Sequence, residues 1–290
     1  MESGHRIEAA LDAAFARIET PAGPPKLAAA MRHAVFGAGQ RIRPRLCLAV
    51  AMACGDDMPA ATDSAAVAIE VLHCASLVHD DMPCFDNADI RRGKPTVHRV
   101  YGEPLAVLTG DALIVLAFQT LARGVVAAPE RMGRLVDIVA AAIGAPAGLC
   151  AGQAWESEPE VDLAEYHRAK TGVLFAAATE AGGAAAGHPD PVAWRTLGAK
   201  LGEAYQVADD LRDVAADPER LGKPRGQDAA LGRPNAVAEL GVVGAITRLK
   251  ALVGEAVGSI PPCPGREALQ AHILDETGRF VPKELARQAA

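Results

Sequence analysis

His73-Cys74-Ala75-Ser76-Leu77-Val78-His79-Asp80-Asp81-Met82-Pro83-Cys84-Phe85-Asp86 is the stretch on which the reading of this chain turns. It closes an apolar, helix-periodic segment running from Thr62 to His79, then meets two adjacent carboxylates, a helix-breaking proline and a third carboxylate. Aspartates in the last turn of a helix repel each other and face the negative end of its dipole. A fold that keeps them there is expected to bring them a cation. Gln206-Val-Ala-Asp209-Asp210-Leu-Arg-Asp213 repeats the theme on a second helix. Spacings of three and four residues predict that Asp209, Asp210 and Asp213 project from one face, with Gln206 one turn upstream.

Outward from these two clusters, helical periodicity dominates the 290 residues and no strand alternation stands out. Helices are predicted at Ile7–Ile18, Lys26–Val35, Pro44–Cys54, Thr62–His79, Pro104–Arg123, Glu130–Ile143, Asp162–Ala186, Pro191–Asp213, Ala236–Gly258, Arg266–Glu276 and Pro282–Ala289. The longer connections, Pro83–Val97 and Ala215–Asn235, are polar, and each follows an acidic helix end. No low-complexity linker divides the chain, which predicts a single all-α domain over residues 1–290. Half the residues are hydrophobic, which excludes global disorder, and only 4% are aromatic, so Ala and Gly must fill much of the interior.

Lys plus Arg number 29 against 36 Asp plus Glu, a net charge of −7. That balance gives no reason to expect nucleic acid or an anionic membrane surface as a partner, nor by itself an anionic substrate. The six cysteines form no CxxC pair and no zinc-type Cys/His spacing, which fits a reduced, cytoplasmic setting. The charged N-terminus lacks the apolar core of a signal peptide. The longest uncharged run, Ile138–Trp155, contains Gly144, Pro146, Gly148 and Gly152, and predicts a buried helix pair rather than a membrane span.

Oxygen ligands without His or Cys select Mg²⁺, with Mn²⁺ as the alternative. Magnesium normally shares its coordination with substrate phosphates, and basic groups stand near both clusters. Arg91-Arg92-Gly93-Lys94 follows the first, and Lys223 and Arg225 follow the second. Gln40-Arg41-Ile42-Arg43 follows a Gly37-Ala-Gly39 turn, and Lys170-Thr171-Gly172 interrupts a long helix. Arginine forks suit bidentate phosphate contacts, and glycine lets backbone N–H groups approach an anion. Carboxylates to hold metal and cations to hold phosphate are the expected site.

These motifs together resemble the trans-prenyltransferases of the polyprenyl synthetase family, the short-chain isoprenyl diphosphate synthases. The likeness extends from Gly37-Ala-Gly-Gln-Arg-Ile-Arg-Pro44 to the C-terminal helix, and both aspartate-rich motifs carry it. It implies an all-α homodimer in which each bundle surrounds a deep apolar cavity. It further implies that Asp80, Asp81, Asp86, Asp209, Asp210 and Asp213 bind magnesium bridging an allylic diphosphate. Arg91, Lys170 and Lys223 would contact that diphosphate, and Gln40, Arg43, His73 and Arg92 would hold isopentenyl diphosphate. Thr171 and Gln206 would offer polar oxygens to the allylic cation, and with Lys170 they would form the catalytic set.

Ala75 and Ser76, the fifth and fourth residues before Asp80, are small, and the resemblance implies that an aromatic side chain there would stop chain growth. In this the sequence resembles the geranylgeranyl diphosphate synthases of carotenoid pathways. A farnesyl diphosphate synthase is the alternative, and a non-catalytic prenyltransferase subunit or a terpene cyclase are more distant ones. One position departs from the family pattern: Gln40 stands where the glycine-rich basic motif normally has Lys. Gln40→Lys is therefore expected to lower the KM for isopentenyl diphosphate in steady-state assays, and an unchanged or higher value would remove Gln40 from that pocket.

Overall fold

Helix α4 (Pro59–Asp80) is the axis on which the molecule is packed. Ala65, Ala66, Val67, Ala68, Ile69, Val71, Leu72, Cys74, Ala75 and Val78 are all buried, so the helix is apolar over most of its circumference. Such a helix belongs inside a protein. The computed structural model describes residues 2–37, 39–159, 168–215, 235–278 and 280. Around α4 run α1 (Glu2–Phe15), α2 (Pro25–Val35), α3 (Ile42–Cys54), α5 (Val97–Tyr101), α6 (Glu103–Gly124), α7 (Met132–Ile143) and α8 (Leu149–Ala154). The chain continues through α9 (Val173–Ala185), α10 (Arg195–Ala215), α11 (Ala236–Gly258) and α12 (Arg266–Gly278). Of these, α6, α3, α9, α1, α2 and α7 all pack on α4, while α10 pairs with α9 and α11.

The scarcity of aromatics has a packing consequence. From Leu174 to Ala185 every residue of α9 is buried, and most are Ala or Gly. At Gly182 a methyl group would stand 2.4 Å from the Cys47 carbonyl oxygen, so only glycine lets α9 approach α3 so closely.

The helical expectations hold within a turn for α2, α3, α4, α6, α7, α10, α11 and α12, with local additions. Helix α3 begins at Ile42 rather than Pro44, and α4 at Pro59 rather than Thr62. The uncharged run Ile138–Trp155 divides into the end of α7 and the short α8, the pair its glycines and proline predict. A left-handed Gly241 breaks α11 near its start. Strands are present: β1 (Ile90–Arg91) and β2 (Lys94–Pro95) form an antiparallel hairpin, two residues each and too short for alternation to register. The expected helix Pro282–Ala289 lies outside the described residues, as does the start of Asp162–Ala186.

By length and composition α4 and α6 could each cross a membrane. Helix α4 is enclosed by its neighbours, whereas α6 leaves Val107, Leu108 and Val115 exposed along one face.

Candidate active site

The last turn of α4 delivers two carboxylates into a crowded place. Asp80 ends the helix and Asp81 caps it, and both are more than nine-tenths buried. The hairpin supplies the counter-charge. Arg92 and Gly93, at φ 54° and 75°, form its two-residue turn, and positive φ at both central positions is the type I′ geometry that suits strand twist. The turn aims Arg91 at the carboxylates: its Nε donates to Asp81 Oδ1 at 2.8 Å, and Nη2 lies 3.9 Å from Asp80 and 4.0 Å from Asp86. Burial pushes the Asp81 carboxyl above its usual range, against the pull of Arg91 and with the repulsion of Asp80 and Asp86. Burial opposes the charge on Arg91, but the three carboxylates outweigh it and raise its pKa.

A second cation comes from across the cleft. Arg168–Gly172 forms a π-helical turn before α9, a distortion that often marks functional positions. There Lys170 Nζ donates to Asp80 Oδ1 at 3.3 Å and to Glu156 Oε1 at 2.6 Å. Gly152 on α8 permits this approach, since a methyl group there would stand 2.8 Å from the Lys170 backbone nitrogen. Carboxylate oxygens of Asp80, Asp86 and Glu156 lie within 4.8 Å of one another, a donor set that fits a hard divalent cation.

These groups open on a cleft of about 530 Å³ that Arg41, Arg43, Arg92 and Arg212 also line. Arg43, in the first turn of α3, lies over the Phe175 ring at 4.6 Å, and its buried Nε has no hydrogen-bond partner among the described residues. Its pKa is lowered by burial and by the like charge of Arg92, against the pull of Glu70 and Tyr205. Arg92 Nη2 approaches His73 Nε2 at 3.1 Å. Arginine can only donate, so His73 accepts at Nε2 and carries its proton on Nδ1. Burial, and then the charges of Arg43, Arg92, Arg91 and Arg41, hold the imidazole well below its ordinary pKa.

The cleft gathers most of the residues singled out from sequence: Gln40, Arg43, His73, Ser76, Asp80, Arg91, Arg92, Lys170, Thr171, Gln206 and Asp209. Asp86 stands beside Arg91 as noted, and Ala75 is fully enclosed in the core, one residue from the cleft-lining Ser76. The second cluster and Gln206 share one face of α10, an arc of about 100°. Asp209 lines the cleft and pairs with Arg212 at 3.4 Å, whereas buried Asp210 accepts from Gln206 Nε2 at 3.2 Å and from the Ala236 backbone N–H at 2.8 Å. Consecutive helical residues point about 100° apart, so adjacent aspartates diverge. Asp213 is half-buried one turn beyond Asp209. Lys223 lies outside the described residues.

Sequence reading missed Glu156 and Gln153, whose Nε2 donates to the Ser76 carbonyl at 3.1 Å. Glu156 is the first charge after the uncharged run Ile138–Trp155, and that abrupt end was its one signal.

Residues 24–256 match the family profile described as polyprenyl synthetase. The chain is 57% identical over 281 residues to a geranylgeranyl diphosphate synthase of Cereibacter sphaeroides, covering 97% of each. Among solved structures it resembles an FPP/GFPP synthase from Zymomonas mobilis, with a TM-score of 0.79, 30% identity and coverage of 95% and 97% of the two chains. A geranyltransferase from Helicobacter pylori, solved in complex with magnesium and isoprenyl diphosphate, superposes with a TM-score of 0.77 at 29% identity, over 94% of this chain and 96% of that one.

The neutral His73 has a measurable consequence. Its folded pKa lies well below the unfolded 6.5, so its stabilisation is complete above pH 6.5 and is lost as pH falls below that value. The loss from one such group amounts to at most about 1.4 kcal/mol per pH unit. Urea unfolding at pH 7 and pH 5 should therefore show His73→Gln gaining stability relative to the parent chain on acidification. A pH-independent difference would mean that His73 titrates normally in the fold.

Proposed function

The chain belongs to the polyprenyl synthetase family, and on that footing we propose that it condenses isopentenyl diphosphate with an allylic diphosphate, with geranylgeranyl diphosphate as its main product. One observation carries the reading: a group of carboxylates paired with Arg91 and Lys170 shares one cleft with the cations Arg43 and Arg92, which stand beside His73. Asp80, Asp86 and Asp209 are the first candidates to hold magnesium, with Asp81, Asp210 and Asp213 beside them. Magnesium, when bound, supplies positive charge to the departing diphosphate. Arg91 and Lys170 add fixed cations at the same oxygens, and such preorganised charge counts for most in a site shielded from water. Lys223 completes this set by resemblance.

Arg43, Arg92 and Gln40 hold the second diphosphate, and the orphaned Arg43 Nε gains its missing acceptor on binding. His73, uncharged, adds a hydrogen bond without competing for the cations. Thr171 and Gln206 line the same cleft and would offer neutral oxygens to an allylic cation. Ionisation breaks the allylic carbon–oxygen bond, the isopentenyl double bond attacks, and a proton then leaves to the released diphosphate. This chemistry requires no protein nucleophile.

Incubation with isopentenyl diphosphate and each allylic diphosphate, followed by product chromatography, tests the reading. Geranylgeranyl diphosphate is expected, serving carotenoid-type biosynthesis as the resemblance implies. A cyclic hydrocarbon, or no turnover, would overturn it. Ser76 bears directly on product length because it lines the cleft, with Ala75 enclosed behind it. Both Ser76→Phe and Ala75→Phe are expected to shift the product to farnesyl diphosphate, Ser76→Phe at the smaller cost in stability. An unchanged product from both would move the length-setting floor elsewhere.

We infer further that the chain works as a cytoplasmic homodimer. Six free cysteines suit a reducing compartment. The exposed Val107, Leu108 and Val115 recur on one face of α6 and suit self-association. Leu108→Glu is expected to convert a dimeric mass in light scattering to a monomeric one, and an unaltered mass would exclude this face.

A further inference from the structure

Arg41 sits inside the basic motif, between Gln40 and Arg43, yet it is a different kind of residue from its neighbours. It is more than nine-tenths buried, and each of its three nitrogens already donates within the protein. Nε reaches Glu8 Oε1 of α1 at 2.8 Å, Nη1 reaches Glu70 Oε1 of α4 at 2.7 Å, and Nη2 reaches the Val35 carbonyl at the end of α2 at 2.9 Å. Its backbone is left-handed at φ 51°, unusual for a residue with a side chain, and it stands as the N-cap of α3. Strain of roughly 1 kcal/mol or more at such a residue persists only where surrounding contacts over-determine it. Arg41 thus ties three helices to the first turn of a fourth.

That tie borders the cleft, which Arg41 and Glu70 themselves help to line. Glu70 is three residues, less than one helical turn, before His73 on α4. A methyl group at Gly39 would meet Arg92 Nη1 at 3.0 Å and Arg41 Nη1 at 3.6 Å, so one glycine brings both guanidiniums together. Three arginines here would repel one another unless some charge were cancelled. Glu8 and Glu70 cancel that of Arg41 and outweigh the burial that opposes it, leaving Arg43 and Arg92 as the charge offered to a ligand.

We propose that Arg41, clamped between Glu8 and Glu70, is a positioning residue for the isopentenyl diphosphate half of the cleft, and that the N-terminal helix sets affinity for that substrate through Glu8. The assignment rests on the function proposed above. Arg41 does not bind diphosphate; it fixes the turn that carries Gln40 and Arg43 against His73 and Arg92.

The test is steady-state kinetics of the full chain, with KM measured separately for isopentenyl diphosphate and for geranyl diphosphate. Losing one charged hydrogen bond at the clamp should raise the isopentenyl diphosphate KM about tenfold in Arg41→Lys and several-fold in Glu8→Gln. The geranyl diphosphate KM and kcat should move less than about twofold, since the allylic half is held by other residues. Glu8 is half-exposed, so Glu8→Gln should fold even if Arg41→Lys does not, and Glu8→Asp should recover part of the affinity. Parallel rises in both KM values, or a lowered melting temperature with unchanged KM values, would overturn the positioning role and leave the proposed reaction intact. Absence of condensation by the parent chain would overturn the reaction itself.

Discussion

Asp80 and Asp81 cannot leave the end of α4, because the helix behind them is buried over most of its circumference. Two unit charges about 4 Å apart interact by roughly 4 kcal/mol at the effective dielectric of a partly buried protein site. The unfavourable helix dipole adds only about 0.5 kcal/mol. Direct pairing therefore decides whether this helix end is tolerable, and two cations are brought to it. Each arrives through a departure from regular helix: Arg91 on a tight hairpin, Lys170 on a π-helical turn. The irregular backbone is found where a cation has to be aimed.

The same principle shapes the basic groups of the cleft with the sign reversed. Burial and gathered like charge raise the Asp81 carboxyl and lower the His73 imidazole, so each is pushed toward its neutral form. A cleft that gathers crowded carboxylates and crowded guanidiniums suits ligands of both signs. A cation relieves the carboxylates and an anion the guanidiniums, and a metal–diphosphate substrate pair brings both. The net charge of −7 averages over these two groups, which is why it misdirects any guess about the ligand.

The architecture was largely legible because helices of one apolar face or none leave a 3.6-residue signature, and because carboxylates at apolar helix ends are costly enough to stand out. What escaped had no periodic signal. Strands of two residues are shorter than one alternation. Lys170-Thr171-Gly172 could be seen to interrupt a helix, but the π-helical turn that exposes Lys170 depends on α8 packing against it. Glu156 is an ordinary exposed residue in sequence and joins Asp80 and Asp86 only through the fold. Arg41 read as one basic residue among several; its burial and the Glu8 contact, 33 residues away, are tertiary facts.

Asp210 shows how a tertiary partner can redirect a motif. Its carboxylate accepts the backbone N–H of Ala236, the first residue of α11, and Asn235 caps that helix through Val237 and Ala238. An acidic group at a helix N-terminus is favourable on dipole grounds, the reverse of the situation at the end of α4. One member of the second cluster thus anchors the start of α11, while Asp209 faces the cleft.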